Sequence, residues 1–72
     1  MIKREEVISG CWAKATDDEP VFVLRAQDKL APGLIRQWAA MAHALGTSQA
    51  KIGAALDLAD KMDAWPERKY PD

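Results

Sequence analysis

A chain of 72 residues and 8.0 kDa holds a single domain, residues 1–72, and buries only about 60% of the surface that its unfolded form exposes. Thirteen of its thirty-five apolar residues are alanine, so a thin core is all that the remaining twenty-two side chains can build. A net charge of −1 argues against a generally basic nucleic-acid coat; no apolar run approaches the roughly 18 residues of a membrane span, and Met1–Glu6 lacks the apolar stretch of a signal peptide. One cysteine, Cys11, excludes an internal disulfide, and with one histidine, His43, it cannot complete a zinc site. A lone thiol without an export signal implies a reducing, cytoplasmic setting. A small domain with neither staple gains stability by self-association, so a homo-oligomer, dimer or higher, is expected.

Punctuation at Ser9-Gly10, Asp17-Asp18-Glu19-Pro20, Pro32-Gly33, Gly46-Thr47 and Trp65-Pro66 divides the chain into four pieces. In residues 3–15, Ile8, Cys11, Trp12 and Ala15 share one helical face, with Cys11 read as a small buried thiol beside Trp12. Gly10 interrupts that pattern at about 1 kcal/mol relative to alanine, so the first helix is short. Residues 21–26, Val-Phe-Val-Leu-Arg-Ala, follow a breaker and are β-branched and aromatic, which predicts a strand. A lone strand needs a mate for its backbone groups. The mate is either the weak segment near Val7-Ile8 or the same strand of a second copy, with Val21, Phe22, Val23 and Leu24 as the dimer interface.

The third piece is a helix over about 32–45. Leu34, Ile35, Trp38, Met41, Ala42 and Leu45 form its apolar stripe, with Trp38 expected in the core. Gly46 stands where a left-handed C-terminal residue belongs. The fourth is a helix over about 48–64, capped by Thr47 or Ser48 and burying Ile52, Ala55, Leu56, Ala59 and Met62. Asp57 and Lys61 have the spacing of an exposed pair. A two-residue connection makes the two helices an antiparallel αα-hairpin, and residues 66–72 form a tail. The class is α+β, mostly α.

Catalytic motifs are missing: there is no phosphate-cradling glycine loop, no Gly-x-Ser-x-Gly and no paired imidazole and carboxylate, and no metal or cofactor is implied. The chain reads as a binding protein rather than an enzyme. Arg25, Lys29, Arg68 and Lys69 could meet phosphate while Trp12, Trp65 or Tyr70 stacks a base. Arg25 is the sharpest case, because it shares a strand face with Val21 and Val23 and must meet an acid or a ligand. The alternative is a helix-turn-helix DNA-binding regulator. Ala42 lies four residues before Gly46 and Ile52 six after it, which would leave Ser48, Gln49 and Lys51 to read DNA. Asp57, Asp60 and Asp63 on the same helix repel phosphate, which counts against it. A third reading is a small structural or assembly protein without a ligand.

The run Asp18-Glu-Pro-Val-Phe-Val-Leu-Arg-Ala-Gln-Asp-Lys-Leu-Ala-Pro32 and the ending Met62-Asp-Ala-Trp-Pro-Glu-Arg-Lys-Tyr-Pro-Asp72, together with Trp38, resemble a family of small uncharacterised phage and prophage proteins. That resemblance implies an accessory protein in the cytoplasm of an infected or lysogenic bacterial host. Its implied role is to bind and inhibit, or sequester, a host defence component, either a host protein or a nucleotide messenger. It assigns no site residues.

Overall fold

The computed structural model describes residues 2–5 and 10–71, and its order is α1 (Cys11–Lys14), α2 (Ala31–Ala44) and α3 (Gln49–Asp63). The fold is mostly helical, and α2 and α3 form a helical hairpin. No helix among the described residues is long and apolar enough to cross a membrane.

Local signals account for the hairpin. Asp28 prepares the start of α2: its Oδ1 accepts the Leu30 N–H at 2.8 Å and its carbonyl accepts the Ala31 N–H at 3.1 Å. Pro32 then occupies the first turn, where a missing N–H costs nothing. At the far end Gly46 has φ +86°, the left-handed region that favours glycine. There the Thr47 N–H donates to Ala42 O at 3.0 Å and the Gly46 N–H to His43 O at 3.1 Å, the two bonds of a Schellman motif. Ser48 caps α3, its hydroxyl oxygen accepting the Lys51 N–H.

Small residues hold the two helices together. Ala31, Pro32, Ala39 and Ala42 of α2 are buried, as are Ile52, Ala59 and Met62 of α3, and Ala39, Ala42 and Ile52 form one cluster. The expected stripe of α2 is therefore split. Ala42 faces α3 and Ile35 is half-buried, but Leu34, Trp38, Met41 and Leu45 are exposed, so Trp38 is not a core residue of the single chain. The reason is geometric. Alanines let the helix backbones approach closely, and the larger side chains, about a quarter turn away around α2, are left outside that seam. On α3, Leu56 is likewise exposed rather than buried.

Three other expectations change. Residues 21–26 form no strand, and the described residues contain only an isolated bridge, Asp28 with Lys69, running parallel. Among the described residues the segment has no ladder partner, and a strand requires one; Val7-Ile8, the expected alternative mate, lies outside the described residues. Of the expected helix over 3–15, residues 3–5 and Cys11–Lys14 are helical, residues 6–9 lie outside the described residues, and extended backbone at Gly10 and Ala15 bounds the second piece as a single turn. Cys11 is exposed, not buried.

Ile52 is the largest member of the buried cluster, so Ile52→Ala should cost about 2–5 kcal/mol. In a domain of this size that lowers Tm by about 8 °C or more, measured by circular dichroism.

Candidate functional site

The tail is docked, and the docking builds a groove. Lys69 N–H donates to Gln27 O at 2.6 Å and Lys29 N–H to Lys69 O at 2.9 Å. Arg68 locks this arrangement with its fork of donors. Its Nη1 donates to Met62 O at 2.7 Å and to Asp63 Oδ1 at 3.2 Å, and its Nη2 to Lys29 O at 3.4 Å and Asp28 O at 3.5 Å. The side chain is 16% exposed. One guanidinium thus ties the end of α3, the tail and the loop before α2 into a single unit.

The groove that results has a volume of about 240 Å³ and is lined by Val23, Arg25, Gln27, Asp28, Lys69, Tyr70 and Pro71. Three of the expected ligand-binding residues, Arg25, Lys69 and Tyr70, line it. A fourth, Lys29, stands at its edge with Nζ 4.6 Å from the centroid of the Tyr70 ring, a cation–π contact that occupies one ring face. Among the described residues no carboxylate pairs with Arg25. Asp28 brings a negative charge to the same wall, with one carboxylate oxygen held by the Leu30 N–H.

The other expected site residues are elsewhere. Arg68 shapes the groove from behind, because its donors are spent on carbonyls and Asp63. Trp12 lines a second cavity of about 200 Å³ with Ala15, Thr16, Asp17, Glu19 and Val21, an acidic setting. Trp65 is exposed at the end of α3 and lines neither cavity. Of the residues expected to read DNA, Ser48 has its hydroxyl in the α3 cap, Gln49 places Nε2 3.2 Å from His43 Nδ1, and Lys51 is exposed. Gln27, Asp28 and Pro71 were not expected as lining residues, and Val23 was expected in a dimer interface instead. Asp28 carried a legible signal, an acid just before a helix start, whereas Gln27 and Pro71 line the groove only because the tail returns.

An ion-pair cluster braces α3 against α2. Arg36 bonds Asp60 at 3.0 Å and also Asp63, which in turn takes Arg68. Hydrogen bonding from Arg36 holds the Asp63 carboxyl below the usual carboxylate range, although burial opposes it, and the Arg36 guanidinium is raised by the same contacts with Asp63 and then Asp60. The expected Asp57–Lys61 pair does not form; its place as the hairpin's ionic contact is taken by this bridge between helices.

Two outcomes follow. Arg68→Lys keeps the charge but loses the fork, so exchange of the Lys29 and Lys69 amide protons should accelerate about tenfold, the equivalent of about 1.4 kcal/mol, measured by hydrogen-exchange NMR. Asp63 binds a proton more weakly folded than unfolded, so its contribution is complete above its unfolded value near pH 4 and is lost as pH falls through the lowered folded value. The Tm difference between wild type and Asp63→Asn should therefore be constant above about pH 5 and shrink below about pH 4. Set beside known protein families, curated proteins and solved structures, the chain matches none of them.

Proposed function

We propose that the chain is a non-enzymatic binding protein whose groove takes a small anionic ligand with a planar ring, a nucleotide being the class that fits. One observation carries this reading: Arg25 and Lys69 line one groove with Tyr70, whose ring already has Lys29 on one face. The chemistry is direct. A guanidinium and an ammonium pair with phosphate oxygens, and an aromatic ring backed by a cation offers its other face for stacking.

The groove also limits what it accepts. Asp28 on its wall disfavours a high density of negative charge, which favours phosphodiesters and diphosphates over a triphosphate. Its volume of about 240 Å³ is below the 300–1,000 Å³ of most ligand pockets, so part of a nucleotide stays in solvent. At about −0.3 kcal/mol per heavy atom, a ligand of roughly 25 atoms binds no tighter than micromolar. In the phage setting that the resemblance implies, such a site would sequester a nucleotide messenger of host defence.

Titration calorimetry and thermal shift with ADP-ribose, a cyclic dinucleotide and inorganic phosphate test the proposal. At a hundredfold excess over Kd a true ligand adds about 2.7 kcal/mol, or about 11–22 °C in Tm. Arg25→Glu should abolish the shift, and Tyr70→Ala should weaken nucleotide binding about tenfold. If no nucleotide binds, or if binding survives Arg25→Glu, the proposal is wrong.

A further inference from the structure

Leu34, Trp38, Met41 and Leu45 lie along one side of α2, between 44% and 87% exposed. Their separations are four, three and four residues. That is the spacing of a coiled-coil seam, in which large apolar knobs seat in the holes of a facing helix. The run covers about 16 Å, three turns, which is most of the helix.

We infer that this stripe is the contact between two copies of the chain, which pair α2 antiparallel across a two-fold axis. The spacing four-three-four reads the same in both directions. A two-fold axis between Trp38 and Met41 therefore sets Leu34 against the partner's Leu45 and Trp38 against the partner's Met41, so every large side chain meets another. A two-fold contact must be self-complementary, and this order of residues is. Thioether against indole is in addition a favourable pairing.

Charge points to the same occupant. Between Ala31 and Leu45 the one formally charged side chain is Arg36, which lies about 170° around the helix from the stripe and is held by Asp60 and Asp63 of α3. Gln37 and Ala44 flank the stripe on its open side. Two such faces approach without like-charge repulsion, and they offer no charge by which a charged partner would be selected.

Surface area supplies the third argument. The chain exposes 5955 Å², whereas a compact protein of 8.0 kDa exposes about 4,450 Å². Its radius of gyration is 12.9 Å against about 11 Å for a compact domain of this length. The excess of about 1,500 Å², spread over the whole chain, leaves room for the roughly 800 Å² per partner that a stable protein interface covers. The segment Val21–Leu24 competes for the same role, and Phe22 is more exposed than Trp38. It is the poorer candidate, because Val23 already lines the groove and Arg25 stands directly beside it in the chain.

Sedimentation equilibrium of the full chain at about 100 µM should give about 16 kDa, twice the chain mass. Met41→Glu, at an exposed position, should keep its helical circular dichroism while the dimer weakens at least about a hundredfold, because each dimer then buries two carboxylates. Phe22→Glu should leave the dimer intact. In a Cys11→Ser background, Leu34→Cys with Leu45→Cys in the same chain should oxidise to a linked dimer, and Leu34→Cys alone should not. A folded wild-type monomer, a dimer that survives Met41→Glu, a dimer lost to Phe22→Glu, or cross-linking by Leu34→Cys alone would each overturn the inference.

Discussion

The alanine seam between α2 and α3 constrains everything else in the molecule. Ala31, Ala39, Ala42 and Ala59 are almost fully buried, and side chains this small let two helix backbones come near each other. Close approach orients α2 so that Arg36 meets Asp60 and Asp63 on one side of the seam. The same orientation leaves the large apolar residues of α2 on the other side.

The second organising contact is Arg68. One guanidinium, holding carbonyl oxygens at the end of α3 and in the loop before α2, turns the tail segment Lys69 to Pro71 into one wall of a groove. Hydrogen bonds from a charged donor contribute roughly 1.5–3 kcal/mol, enough to order so short a segment. Its link through Asp63 to Arg36 joins the groove to the hairpin, so the stability of the helices and the shape of the groove share one carboxylate. The groove and the apolar stripe use different residues, so either can be altered without the other.

Much of the local structure was legible. Gly46 was expected to be left-handed because it closes an apolar run, and its φ and two Schellman bonds agree. Ser48 was one of two expected caps, and the hairpin follows from the short connection. In the site, Arg25, Lys69 and Tyr70 were selected as residues, but nothing in their spacing showed that positions 25 and 69 lie side by side. Arg68 was read as a phosphate ligand, since a bond from a side chain to a distant carbonyl leaves no trace in residue identity. The segment 21–26 was read as a strand from propensity, which reports side-chain fit to a pleated surface and not the presence of a mate.

Composition and periodicity by themselves determined the helical hairpin, its turn and its caps, because those depend on contacts within a few residues. Composition also limited the molecule to one thin core. Which face of α2 turns inward was decided only in three dimensions. Both faces are apolar, and the choice between them rests on how closely two backbones can approach. The groove, too, belongs to tertiary structure alone, because it exists only once Arg68 has gathered carbonyl groups some forty residues away.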